Sequence, residues 1–222
     1  SGTQNQKFLL YLEDNQMKNI IFDMDGLLID SENITFHIYK DYLSQIGYRY
    51  TKEMYISLLG KRKEFAQEQF KKDFGSSFPF DLFWEQTHII LDQELIHKPC
   101  LKIGCIPLLE YLKEHSYTII LATSSYKNRA LNILKGQHID HYFNDFICGD
   151  QVKNGKPHPE IFLEACKKIH CEPNQAIVLE DSETGIDAAF QAGCSVICIP
   201  DMIEPDFDHK KKCNYILSNL LD

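Results

Sequence analysis

The chain has 222 residues, 44% hydrophobic and 25% charged, enough to bury a full core in one large domain or a core with a smaller companion. Its formal net charge of −9 argues against binding to a nucleic acid polymer or an anionic membrane, either of which calls for a basic face. The longest apolar runs, such as Tyr117–Ala122 and Ser195–Pro200, are far too short to cross a bilayer.

Residues 1–17 read as an N-terminal extension, and Ser1-Gly2-Thr3-Gln4-Asn5-Gln6 lacks the basic and apolar regions of a secretory signal. The first element is the most informative. Ile20–Phe22 has the brevity and branching of a buried strand, and it stops at Asp23-Met24-Asp25-Gly26, with Asp30-Ser31 close behind. The carboxyl end of a parallel strand is where open α/β sheets bind ligands. At i, i+2 in an extended chain, Asp23 and Asp25 point to the same side. There they repel unless a cation, a proton or a bound substrate relieves them. Taken alone, Asp-x-Asp-Gly reads first as an ordinary turn.

From Asn33 to His97 the pattern turns helical, with aromatics such as Phe65, Phe70 and the Phe83-Trp84 pair expected to pack helix against helix. This insertion, residues 33–97, reads as a small helical cap. The larger α/β core comprises residues 18–32 and 98–222, and Pro99 and Gly104 mark the return to it. Further strands are expected at Thr118–Ala122, Phe146–Cys148, Ala176–Leu179 and Val196–Ile199. Helices are expected at Ile106–Glu114, Lys127–Lys135, Pro159–Lys168 and Thr184–Ala192. Strands alternating with helices imply right-handed crossovers and a doubly wound parallel sheet, the Rossmann-like α/β class.

Three loops after these strands carry polar groups suited to phosphoryl transfer. Thr123-Ser124-Ser125 follows the second strand, offering hydroxyls and N–H groups for phosphate oxygens. Lys156 lies in Asn154-Gly155-Lys156-Pro157-His158-Pro159-Glu160, a glycine turn leading to a proline-started helix. Glu180-Asp181-Ser182 ends a purely apolar strand. Two more acids beside Asp23 and Asp25 call for a cation, and an all-oxygen set suits Mg²⁺. Singly, these pieces read as a helix cap, a surface lysine and a capping box. Their joint order is what carries the chemistry.

The eight cysteines form no CxxC; Cys194 and Cys198 bracket an apolar strand and Cys166 lies in a helix pattern, as free thiols do in a reduced, cytoplasmic protein. His138 and His141 lack a nearby third ligand, and Lys210-Lys211-Lys212 reads as a solvated face.

Asp23-x-Asp25-Gly26-x-x-x-Asp30-Ser31, Ala122-Thr123-Ser124-Ser125, Gly155-Lys156-Pro157-His158-Pro159-Glu160 and Val178-Leu179-Glu180-Asp181-Ser182-x-x-Gly185 together resemble the haloacid dehalogenase superfamily. The likeness runs from Lys18 to about Pro200. It falls in the branch that contains β-phosphoglucomutase and small-molecule phosphatases, whose cap sits where the helical insertion lies. The resemblance implies a phosphoric monoester hydrolase in which Asp23 attacks phosphorus to form an aspartyl-phosphate. Asp25 would serve as acid and then base. Mg²⁺ would be held by Asp23, the Asp25 carbonyl, Asp181 and Glu180, the last directly or through water. Thr123, Ser124 and Lys156 would stabilise the transferring oxygens, with Gly26 and Ser125 lining the phosphate site. Arg62 or Lys63 is the expected cap contact to the rest of the substrate.

The alternative within the branch is a phosphosugar mutase. Five residues after Asp30, where β-phosphoglucomutase has a gating histidine, this chain has Thr35, with His37 two residues on. The cap lysine expected before the glycine is replaced by Leu59-Gly60, although Lys61, Arg62 and Lys63 follow. Both departures favour a phosphatase acting on a small phosphorylated metabolite: a sugar phosphate, a polyol phosphate or a nucleoside monophosphate. A non-catalytic relative would have lost one of Asp23, Asp25, Lys156 or Asp181, and all are present. A monomer is expected, with hinges near Asp30–Asn33 and Lys98–Leu101.

Overall fold

The computed structural model describes residues 11–12 and 17–222. Of the expected N-terminal extension, residues 1–10 and 13–16 lie outside the described residues. The sheet has six parallel strands in the order β3-β2-β1-β4-β5-β6. These are β1 (Asn19–Phe22), β2 (Thr118–Thr123), β3 (Asp145–Cys148), β4 (Ala176–Glu180), β5 (Ser195–Cys198) and β6 (Tyr215–Ile216). Five match the apolar runs of the sequence. The sixth, a half-exposed pair of residues, is too short to leave a pattern.

Both faces of β1 are covered, which is why its residues are apolar without alternation. Ile20 and Phe22 pack on one side with Leu109, Leu121 and Leu134, while Ile21 packs on the other with Ile120, Phe162, Val178 and Ile186. The covering helices are α5 (Cys105–Glu114) and α6 (Lys127–Gly136) on the first side, α7 (Glu160–Lys168) and α8 (Glu183–Ala192) on the second. A short α9 (Phe207–Lys210) follows β5.

The insertion holds α1 (Ser31–Gln45), α2 (Lys52–Ile56), α3 (Lys63–Phe74) and α4 (Phe80–His97). Its apolar centre is aromatic: Phe36, Tyr39, Tyr50, Tyr55, Phe70, Phe78, Phe80 and Phe83 form a cluster separate from those of the sheet. Phe70 is its hub, with ring centroids 4.8 Å from Phe83 and 5.4 Å from Phe78. Phe65, expected to pack here, is 44% exposed instead, because it falls on the outer face of α3. The far end of α4 belongs with the sheet, since Leu91 and Leu95 are buried in its cluster.

The two crossings between insertion and sheet run side by side. Asp30 N–H donates to the Cys100 carbonyl at 2.8 Å, and Lys102 N–H donates to the Leu28 carbonyl at 2.8 Å. Lys102 Nζ also reaches Asp201 at 2.5 Å and Asp30 at 3.6 Å.

Two readings of the chain ends change. Tyr11 and Leu12 dock on the sheet: the Tyr11 hydroxyl donates to Ser195 Oγ at 3.1 Å, and Leu12 is fully buried. The lysine run is not simply solvated, because Lys212 Nζ pairs with Asp187 on α8 at 2.5 Å. All eight cysteines are free thiols, and among the described residues no helix is long and apolar enough to cross a membrane.

Candidate active site

Strand register builds the site. Phe22 lies opposite Leu121 on β2 and Leu179 on β4, so Asp23 emerges level with the ends of both neighbours. Asp23 N–H extends the ladder to the Leu179 carbonyl at 3.1 Å. β1 thus stands at the point where the strand order reverses, and that crevice is the usual ligand site of such sheets.

The turn after β1 depends on Gly26. Its φ is +84°, and a Cβ there would stand 2.1 Å from Asp181 Oδ2. Close approach also explains Gly185, whose absent Cβ leaves room for the Glu180 carboxylate at the start of α8. Ser182 caps that helix, accepting from Gly185 N–H at 3.1 Å, and donates its own hydroxyl to Glu180 Oε2 at 3.0 Å. Helix α8 therefore begins at Glu183, one residue earlier than the sequence suggested. Cap and acid pair are one construction.

Lys156 arrives from the loop before α7, and its ammonium sits between two carboxylates. Nζ donates to Asp23 Oδ1 at 2.5 Å and to Glu180 Oε1 at 2.5 Å. The three side chains are nearly inaccessible, at 6%, 9% and 0% exposure for Lys156, Asp23 and Glu180. Oxygens of Asp23, Glu180 and Asp181 lie within 4.8 Å of one another. Three carboxylates therefore face one ammonium, an excess of two negative charges in a buried place.

Titration follows from that excess. Burial pushes the Asp23 carboxyl up to about 7, with Lys156 opposing and Glu180 adding to the rise. Asp181 is raised well above the ordinary carboxylate range by burial and then by repulsion from Glu180 and Asp23. Burial works against the Lys156 ammonium, but Asp23 and Glu180 outweigh it and hold the group charged. A divalent cation fits this donor set: it would cancel the two surplus charges with oxygen ligands, as Mg²⁺ prefers. Glu180 is the least free of the donors. Its Oε2 already accepts from Asp181 N–H, Ser182 N–H and the Ser182 hydroxyl.

Asp25 takes different partners. Its Oδ2 accepts from the Ser125 hydroxyl at 2.8 Å, and Arg129 Nη1 stands 3.5 Å from each of its oxygens. Thr123 is buried, its Oγ1 accepting from Ser125 N–H at 3.1 Å, while Ser124 is exposed on the cavity wall. The Thr-Ser-Ser segment does not cap α6. That function falls to Asp150, which accepts from Lys127 N–H at 2.9 Å.

A cavity of about 790 Å³ opens from Asp25, Ser124, Ser125 and Arg129 toward the insertion, where Tyr39, Tyr55, Leu59, Lys61, Trp84 and His88 face it. Neither Arg62 nor Lys63 lines it. Arg62 borders a separate hollow beside Lys153 and His158, and Lys63 is drawn to Asp81 at 3.2 Å and the Trp84 ring at 5.8 Å. The cation facing the cavity from the insertion is Lys61, the residue just before the expected pair. Arg129 escaped the sequence reading altogether. It sits in a helical pattern like any surface charge, and the one local signal for it is its four-residue offset from Ser125, one helical turn away.

The haloacid dehalogenase-like hydrolase family matches residues 20–199, and the chain belongs to that family. It is 31% identical over 179 residues to a phosphorylated carbohydrates phosphatase of Thermotoga maritima, covering 80% of this chain and 82% of that one. It is 28% identical to a fructose-1-phosphate phosphatase of Escherichia coli, over 80% of this chain and 94% of the relative. Among solved structures, a hydrolase of the same family from Entamoeba histolytica superposes with a TM-score of 0.76 at 26% identity, covering 92% of this chain and 94% of the other.

Proposed function

We propose that the protein is a Mg²⁺-dependent phosphatase that hydrolyses small phosphate monoesters through an aspartyl-phosphate on Asp23. The observation that carries this reading is the pair of 2.5 Å contacts from Lys156 to Asp23 and Glu180, beside Asp181. Asp23, Asp181, the Asp25 carbonyl and Glu180, directly or through water, would hold the metal. When bound, the metal supplies charge that draws the phosphate anion in and lowers repulsion toward an incoming carboxylate.

In the first step an Asp23 oxygen attacks phosphorus and the bond to the ester oxygen breaks. The departing oxygen takes the proton of Asp25. In the second step water attacks the same phosphorus and gives its proton to Asp25, and the acyl-phosphate bond breaks to free phosphate and Asp23. Lys156, the Thr123 hydroxyl and the Ser124 N–H are assigned to the transferring oxygens, with Gly26 and Ser125 beside them. Each such donor contributes about 3 kcal/mol at comparable preorganised sites.

Hydrolysis is favoured over mutase action by Thr35. It is buried, and its hydroxyl donates to the Ser31 carbonyl at 2.7 Å, so it cannot act as a gating acid; His37 lies exposed nearby. The substrate is inferred to be a sugar phosphate, polyol phosphate or nucleoside monophosphate. The eight free thiols suit a reducing compartment such as the cytoplasm. A monomer is the expected state.

Purified protein assayed with Mg²⁺ over a panel of phosphate monoesters tests the reading. Free phosphate is expected from several esters, abolished by Asp23→Asn, with a persistent phosphoenzyme in Asp25→Asn. Interconversion of glucose phosphates without phosphate release would replace it with the mutase.

A further inference from the structure

We propose that Arg129 is a positioning residue for Asp25, fixing the acid/base carboxylate through Ser125, an inference that rests on the phosphatase reading above. Arg129 lies in the first turn of α6, and its planar guanidinium is occupied on two edges. Nε donates to Asp92 Oδ1 on α4 at 2.8 Å, and Nη1 donates to Ser125 Oγ at 2.6 Å. Ser125 Oγ in turn stands 2.8 Å from Asp25 Oδ2.

The donor inventory sets the direction of this chain. A guanidinium can only donate, so the Ser125 oxygen accepts from it, and the single hydroxyl hydrogen is left for Asp25. Without Arg129 that hydroxyl is a free rotor. With it, one rotor state remains, and it points at the carboxylate. Asp25 needs such help, because it is only partly buried at the rim of the 790 Å³ cavity. It must reach the ester oxygen in one step and a water in the next, and small errors of placement are costly.

Asp92 is itself well anchored. Its neighbours on α4, Leu91 and Leu95, are buried in the main core at 5% and 0% exposure. Arg129 thereby ties the acid/base group to the end of α4 that packs in the core of the sheet. Its charge is flanked by Asp25 and Asp92, which sets it apart from Lys61, the exposed cation across the cavity. A lysine could not replace it, since one ammonium lacks the fork that reaches Asp92 and Ser125 together.

p-Nitrophenyl phosphate with Mg²⁺ is the discriminating probe, because its leaving group departs without a proton and only the water step needs Asp25. For Arg129→Ala, kcat is expected to fall about 10- to 100-fold, less than the roughly 10²- to 10⁴-fold that acid/base catalysis itself contributes, while kcat/KM stays within about threefold. Rapid quench should show a burst of one nitrophenolate per enzyme, and added guanidinium should restore kcat. Asp92→Asn, which leaves the arginine in place, should lower kcat in the same way by a smaller factor. Combined with Asp25→Asn, Arg129→Ala should add nothing further. A fall in kcat/KM through a raised KM would make Arg129 a substrate ligand and overturn the proposal. Unchanged kcat in both single variants, or additive losses in the double, would overturn it too. Wild-type protein without Mg²⁺-dependent turnover, or Asp23→Asn that keeps its burst, sinks the underlying reading instead.

Discussion

Lys156 Nζ lies 2.5 Å from Asp23 Oδ1 although 133 residues separate them along the chain. The contact joins the loop after β1 to the loop before α7, and the same ammonium reaches Glu180 at the end of β4. One cation thus holds three loops in register. It stands in for only part of the positive charge that the cluster of acids requires.

Replacing Lys156 by Met should therefore cost stability as well as turnover. Breaking a buried ion pair on one side leaves unpaired charge, typically at a cost of about 3–5 kcal/mol. Urea denaturation is expected to show a midpoint well below wild type, partly recovered in millimolar Mg²⁺. A midpoint equal to wild type without metal would mean that Asp23 and Glu180 are satisfied by other groups.

The acids make metal binding and stability depend on pH in a defined direction. Asp23 titrates near 7 in the folded, metal-free protein against a reference of 3.8, and Asp181 is shifted the same way. Between these limits the folded state binds more protons than the unfolded one, so stability declines as pH rises from about 4 to about 7. Protonation is the metal-free remedy for the repulsion, and a divalent cation is the other. The rise in Tm on adding Mg²⁺ is expected to be larger at pH 8 than at pH 5. Equal shifts at both pH values, measured by calorimetry, would count against the cluster as the metal site.

Gly26→Ala tests the space rather than the charge. The new methyl would fall 2.1 Å from Asp181 Oδ2 on a backbone with φ +84°, so the loop or the carboxylate must move. Mg²⁺ affinity by titration calorimetry should drop about 10- to 100-fold, the range for displaced ligand geometry. Unchanged affinity would show that Asp181 does not hold the metal at this position.

Among the cations Lys61, Arg62 and Lys63 of the insertion, the first should matter and its neighbours should not. Lys61 faces the cavity, whereas Lys63 pairs with Asp81 and Arg62 borders another hollow. With the best ester of the panel, Lys61→Ala is expected to raise KM about tenfold with little change in kcat, as loss of uniform binding does. Arg62→Ala and Lys63→Ala should leave KM within about twofold, the scale of change for a surface charge away from the site. The reverse ranking would place the substrate on the Arg62 side.

Much of this molecule is written in short-range pattern. Ile20–Phe22, Thr118–Ala122 and Ala176–Leu179 are legible as strands because burial on both faces demands unbroken apolar residues, and each ends in polar groups. Asp23, Lys156, Glu180 and Asp181 could be picked out because the acids and the lysine each follow a glycine turn or a strand end, where polar side chains have no core to join. Their neighbours were harder. Arg129, Asp92 and Lys61 look like any charged residues on helices or turns, and Phe65 looks like any core aromatic.

What the amino-acid order determined by itself is the parallel sheet and the acids at its edge, since strand burial and chain reversal act on consecutive residues. The tertiary structure alone decided which charges meet. Arg129 reaches Asp92 only because α4 packs against α6, and Lys61 borders the cavity while Arg62 borders another hollow and Lys63 pairs with Asp81. Those choices depend on how helices settle against one another, and no local pattern records the angle at which they do so.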